Sequence, residues 1–229
     1  MTRPLRTTLG GLVYHVLNRA NAQATLFESE GDYLSFEKVM ADAHERTSVR
    51  VIAYCIMPNH WHLVLWPKED GQLSAFMQLL TVSHTQRWHV YHRTSGTGHL
   101  YQGRFKSFPV QSNEHFLTVV RYVERNAVRA NLVNRAEEWR WCSLWRRHSG
   151  QGSEPFLVAP SGWPIEPPRN WLAVINRPES PKELEAVQHC VARGCPIGSD
   201  AWVAQVGKRL GLESTFRPRG RPRKSVPAT

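Results

Sequence analysis

An α+β domain is predicted, built on a four-stranded antiparallel sheet, and three observations predict it. Four short stretches either alternate apolar with polar residues or concentrate β-branched and aromatic ones. Two long segments between them repeat apolar residues at helical spacing. Their order along the 229 residues is strand, helix, strand, strand, helix, strand, followed by one more helix. That order is the ferredoxin-like arrangement, an antiparallel sheet with helices on one face. The added helix is expected on the sheet's open face.

Residues 1–9 read as a disordered basic leader. Gly11 to Asn18 (GLVYHVLN) alternates and forms the first strand; Asn18 to Asn21 is a loop. Gly31 to Thr47 carries Tyr33, Phe36, Val39, Met40 and Ala43 on one side, with Asp32 as N-cap. Val49 to Ile56 is the second strand, and Pro58 and Asn59 turn tightly into the third, His60 to Trp66. Leu73 to Tyr91 is the second helix, with Phe76, Leu79, Leu80, Val82 and Trp88 as its apolar set. Arg93 to Gly98 is turn-rich. Tyr101 to Gln111 is the fourth strand, one side made basic by Arg104 and Lys106. Asn113 caps a single helix from Glu114 to Ala130. Asn131 stops it, because Asn tolerates the left-handed conformation. Trp139, Trp141 and Trp145 help close the core.

The main domain is expected over residues 1–150, followed by a Pro- and Gly-rich linker over 151–178. A helical extension covers 179–213, with helices from about Pro181 to Arg193 and Ser199 to Leu210. These form either a small DNA-binding unit or a pair docked on the main domain. A basic tail covers 214–229.

Lys and Arg number 29 against 19 Asp and Glu, a formal net charge of +10. That balance favours a polyanionic partner. No basic amphipathic helix with a bulky apolar face is evident, so nucleic acid is favoured over a membrane surface. No apolar run approaches the ~18–20 residues of a membrane span, and no signal-peptide apolar segment opens the chain. The four cysteines (Cys55, Cys142, Cys190, Cys195) form no CxxC pair. A cytoplasmic, nucleoid-associated protein is expected. With no P-loop and no GxGxxG, no nucleotide cofactor is expected.

Two constellations carry chemistry. His60 and His62 are spaced i, i+2 on a strand, so both emerge on one face, while Trp61, Leu63 and Leu65 point into the core. Two imidazoles about 6–7 Å apart along a strand can chelate one divalent metal. In the helix from Glu114, Tyr122 and Asn126 share a face, and Arg121, Arg125 and Arg129 make a stripe beside them. Alone, the histidines also read as a solvated strand face, and the tyrosine as a surface residue. If the helix turns this face to the sheet, Tyr122 approaches the histidines and Asn126 can offer a carbonyl oxygen as third ligand. Such a site suits Mg²⁺ or Mn²⁺ and leaves positions open for a phosphate oxygen and water. A phenolate is both a workable nucleophile and a good leaving group, and the arginine stripe would hold a phosphodiester backbone.

These motifs resemble those of single-tyrosine HUH transposases, most of all the REP-associated tyrosine transposases. The match rests on HisTrpHis at 60–62 after MPN, YHVLNR at 14–19, GRFKSFPVQ at 103–111 and YVERNAVRANLV at 122–133. It covers roughly residues 10 to 150, and a C-terminal segment of the same kind extends it nearly to the end. The resemblance implies that residues 1–150 are a catalytic domain with His60, His62 and Asn126 as metal ligands. Tyr122 would be the nucleophile that ends as a 5′-phosphotyrosine. The implied substrate is single-stranded DNA beside a palindromic hairpin, as in REP repeats, cleaved and rejoined by a monomer or homodimer in bacterial DNA transposition and recombination. The alternatives are a non-catalytic hairpin-binding regulator and a nickase of plasmid transfer or replication.

The chain departs from the family pattern at three places. Ala127 stands where Pro is usual and is expected to keep the helix regular; Asn131 replaces a Gly; Ala20 replaces another. The tail holds PRGRP, an AT-hook-like core in which an extended Arg-Gly-Arg can enter a narrow minor groove. Arg217, Arg219, Arg221, Arg223 and Lys224 supply its charge, as a minor-groove contact or as a generic solvated tail.

Overall fold

A computed structural model describes residues 8–150 and 154–217. The sheet contains β1 (Val13–Arg19), β2 (Arg50–Met57), β3 (His60–Trp66) and β4 (Lys106–Val110) in the order β2-β3-β1-β4, every pair antiparallel. Helices α1 (Glu30–Thr47) and α2 (Gln72–Tyr91) lie side by side on one face. This is the predicted ferredoxin-like architecture, and the residues alternating along the strands build it. Tyr14, Val16, Trp61, Leu63 and Leu65 pack against Phe36, Met40, Phe76 and Leu80. On the other face Val13, Val64, Phe108 and Val110 meet Phe116, Val119, Val120 and Val123 of α3 (Glu114–Glu124).

The element ends differ from the sequence reading in instructive ways. Thr8 and Leu9 are packed: Gly71 N–H donates to Thr8 O and Leu9 N–H to the Tyr14 hydroxyl. The rest of the expected leader lies outside the described residues. The cap of α1 is Ser29, with Asp32 at the third position closing a reciprocal box. Val82 is exposed, and Met77 and His84 take its place inside. β4 is half the expected length, starting only at Lys106, so Arg104 sits in the loop before it.

The expected single helix is two. After α3 the backbone at Arg125 leaves helical values (φ −90°, ψ 4°), and α4 (Asn126–Arg129) follows. The interruption therefore occurs with Ala, not Pro, at 127. Asn131 does adopt the left-handed conformation (φ 56°). Its N–H bonds Val128 O while Leu132 N–H bonds Ala127 O, the paired bonds of a Schellman stop.

The segment expected as a linker is packed in its described part. Phe156 is buried, Leu157 bridges the outer edge of β2 beside Val51, and Trp163 and Ile175 join the core under α3. Beyond α5 (Ser143–His148) and α6 (Trp171–Asn176), helices α7 (Pro181–Arg193) and α8 (Asp200–Leu210) match the two predicted ones. Ile197, between them, adds a parallel bridge to the outer edge of β4. Both edges of the sheet are thus covered. The extension is docked on the main domain rather than standing apart.

The C-terminal end of α3 is fixed by a buried carboxylate. Glu124 is fully buried; its Oε1 lies 2.7 Å from Ser143 Oγ and accepts from Arg147 Nη1 at 2.6 Å. Ser143 Oγ accepts from Tyr54 N–H of β2 at 3.0 Å, and Arg147 also donates to Ile52 O. One acid therefore ties α3, α5 and β2 together. Glu124→Ala is expected to cost about 3–5 kcal/mol, because it strands a mostly buried guanidinium. Urea denaturation checks this; a cost below ~1 kcal/mol would refute the lock.

Candidate active site

The face of β3 under α3 carries His60 and His62, whose rings are 5.1 Å apart between centroids and nearly perpendicular. Across β1, Arg19 stands opposite His60 and Leu17 opposite His62. His60 Nδ1 lies 2.6 Å from Asn59 Oδ1. An amide oxygen only accepts, so with the amide assigned this way the His60 proton is on Nδ1 and its Nε2 keeps a lone pair. His62 Nδ1 lies 2.9 Å from Nε2 of His15, which is wholly buried.

Tyr122 comes down from α3 onto this pair. Its ring meets His62 edge-on at 5.9 Å and His15 at 6.2 Å. The Arg129 guanidinium carbon sits 4.0 Å over its other side, and Arg129 Nη2 donates to Tyr122 O at 2.7 Å. The helix thus brings the predicted tyrosine to the predicted histidines. Asn126, one turn on, is also buried, and its amide nitrogen is a buried polar atom without a hydrogen-bond partner.

Electrostatics set the protonation states. Burial, assisted by Arg19 and Arg129, pulls His60 down to about 4. Burial and the neighbouring imidazoles hold His62 well below the usual range, and burial pulls His15 to about 3. All three rings are neutral at neutral pH, the state in which imidazole binds metal. Burial raises Tyr122 above the ordinary phenol value; Arg129 and Arg19 oppose this, and Glu179 adds to it.

No group of three His, Cys, Asp or Glu that could hold a metal occurs among the described residues. A divalent ion here would draw on the two imidazoles and an amide oxygen. The residues fit that set: two neutral rings stand side by side, and the Asn126 amide, whose nitrogen and oxygen differ by a half-turn, has a buried nitrogen without a partner.

The arginine stripe is placed differently from the expectation. Arg121 donates to the carbonyls of Arg177 and Pro178, and lies 3.6 Å from Glu183. Arg125 and Arg129 share the Glu179 carboxylate at 2.9 and 2.6 Å. That carboxylate is only 3% exposed. The stripe holds the extension, with its three guanidiniums engaged by Glu179, Glu183 and backbone carbonyls, so in this conformation it does not present itself to a phosphodiester backbone. Exposed cations lie instead beside His60. Arg19, Arg104 and Lys106 line a cleft of about 470 Å³ with Asn18 and Gln102. Arg217 is exposed; Arg219, Arg221, Arg223 and Lys224 lie outside the described residues.

Sequence reasoning missed His15, Arg19, Asn59 and Glu179. His15 is opposite Val64, diagonal to His62, a relation visible only once the strand register is known. Arg19 carried a signal, as the last residue of YHVLNR.

Comparison with known proteins places the chain in a family. The model of the family described as IS200-like transposases matches residues 8–126. The chain belongs to that family of DNA-transposing proteins. Among solved structures it is similar to a REP-associated tyrosine transposase bound to a REP hairpin. The two share 18% identity and a TM-score of 0.53, over 69% of this chain and 90% of that one. A chain from Deinococcus radiodurans R1 with a provisional transposase assignment is 16% identical, with a TM-score of 0.39, over 57% of this chain and 95% of that one. No curated protein matches the sequence. Among the described residues no helix is long and apolar enough to cross a membrane.

The buried neutral histidines make stability depend on pH. Unfolded, each titrates near 6.5; folded, His15, His60 and His84 titrate near 3 to 4. The unfolded state therefore binds more protons below pH 6.5, and stability present above that pH is lost as pH falls. Each such histidine contributes up to ~1.4 kcal/mol per pH unit. The urea midpoint is expected to drop clearly between pH 7.5 and 5.5; an unchanged midpoint would contradict the burial of neutral rings.

Proposed function

We propose that this chain is a divalent-metal-dependent single-strand DNA endonuclease and strand transferase acting at REP-like hairpins, with Tyr122 as its nucleophile. The observation that carries the reading is the 5.9 Å approach of the Tyr122 ring to His62, from elements some 60 residues apart. A protein that only binds hairpins has no need of a phenol against two histidines. The hairpin substrate is supported by the family match and by the similar transposase solved on a REP hairpin.

In this reading the Tyr122 oxygen attacks the scissile phosphorus and gives up its proton as the new P–O bond forms. The P–O3′ bond breaks, and the departing 3′ oxygen takes up a proton. A 5′-phosphotyrosine and a free 3′-OH remain. Attack by another 3′-OH reverses the chemistry and joins new strands. His60, His62 and the Asn126 amide would hold Mg²⁺ or Mn²⁺, which when bound supplies Lewis-acid polarisation of the phosphate. Arg129 stacks on the ring and, with Arg19, favours the phenolate that burial disfavours. Arg19, Arg104 and Lys106 are assigned to the DNA backbone, with the tail cations beyond the described residues.

Incubation with end-labelled hairpin-bearing single-stranded DNA and Mn²⁺ or Mg²⁺ is expected to give a denaturant-resistant protein–DNA adduct. Tyr122→Phe, which keeps the ring packing, should abolish it; identical products from both proteins would overturn the mechanism. Binding without an adduct in the wild type would favour the non-catalytic regulator.

Deleting residues 217–229 removes Arg217, Arg219, Arg221, Arg223 and Lys224. Affinity should fall, and the slope of log K against log salt should flatten by about 3 to 4 on single strands if all five contact phosphates. Unchanged affinity would leave the tail without a DNA role.

A further inference from the structure

We propose that His15 is a positioning residue: its Nε2 accepts the Nδ1 proton of His62, so that His62 turns a bare Nε2 toward the site. The inference rests on the metal reading above and assigns a role within it. His15 lies on β1, opposite Val64, which puts it diagonal to His62 on the same face of the sheet. The two ring centroids are 5.0 Å apart with 24° between planes, and the nitrogens are 2.9 Å apart, as an in-plane N–H···N bond requires. Phe108 covers the far side of His15 at 4.8 Å, so the ring has no solvent to turn toward.

Only one proton can lie between the two nitrogens. If His15 donates it, His62 carries its own proton on Nε2 and cannot ligate a metal. If His62 donates it, Nε2 is free. In both cases His15 Nδ1 has no partner. An apolar side chain here, in a wall already made of Val13, Val64 and Phe108, would avoid that orphaned atom. The histidine makes sense as an acceptor: it satisfies the N–H of His62's metal-binding tautomer and moves the unpartnered N–H to its own Nδ1, away from the site. Asn59 does the same for His60 from the neighbouring turn, so each imidazole has its Nδ1 held from behind.

The test is Mn²⁺ binding to the full-length protein without DNA, followed by the EPR signal of free Mn²⁺. His15→Leu should bind about 10- to 100-fold more weakly, while His15→Gln, which returns an acceptor oxygen, should recover most of the affinity. Circular dichroism checks that both variants fold. Equal affinity in wild type and a folded His15→Leu would overturn the role of His15 and leave the metal site standing; no binding by the wild type would overturn both. In Mg²⁺-loaded wild type, a through-hydrogen-bond ¹⁵N–¹⁵N coupling between the rings is expected, with the proton on His62 Nδ1. Its absence would overturn the proposal even if His15→Leu fails to fold.

Discussion

The antiparallel register between β1 and β3 is the constraint on which the site depends. Leu17 stands opposite His62 and Arg19 opposite His60. Because side chains alternate with a period of two, a one-residue slip of β3 would send His60 and His62 into the apolar core and bring Trp61 out of it, and a slip of β1 would do the same to His15 against Tyr14 and Val16. Trp61, Leu63 and Leu65 are wholly buried under α1 and α2. The hydrophobic demand of one face therefore fixes the polar chemistry of the other. Register sets the face, and contacts of His62 with His15 and of His60 with Asn59 hold the rings on it.

The tyrosine has to be brought from a different part of the chain, and there the structure uses charge as well as packing. α3 lies across β2, β3 and β4 on an apolar stripe that ends at Val123. Beyond it, Glu124 locks the helix to β2 and α5, while the Arg121, Arg125 and Arg129 row ties its other flank to residues 177–183. A buried carboxylate between two guanidiniums has little alternative partner, since freeing it would expose or strand three charges. The site is thus held between two ionic anchors, and Arg129 belongs to one of them while touching the tyrosine ring.

Much of this was legible in the chain. The strand and helix order, the face carried by HisTrpHis, and the burial of both Tyr122 and Asn126 follow from periodicity, although a break at Arg125 puts the two on successive helices. The partner of the arginine row was not, because Glu179 is separated from it by some 50 residues of irregular sequence. The same irregularity hid Phe156, Leu157 and Trp163, whose burial comes from tertiary contact and not from any repeat. The helix break at Arg125 was missed because Pro was taken to be its natural cause. Here Ala127 occupies that place and the chain turns all the same.

The active-site wall illustrates why a phenol and neutral imidazoles suit one another. Burial raises Tyr122 and lowers the three histidines, so every group is pushed toward its uncharged form. The imidazoles and the phenol carry no charge of their own, while Arg19 and Arg129 flank them. A cation arriving there would meet neutral imidazoles and not imidazolium ions. The same cation would reverse the bias on the phenol, since the Arg129 and Arg19 charges already act in that direction. The Tyr122 phenol is therefore held toward its neutral form in the bare protein, and positive charge brought beside it would make it more acidic.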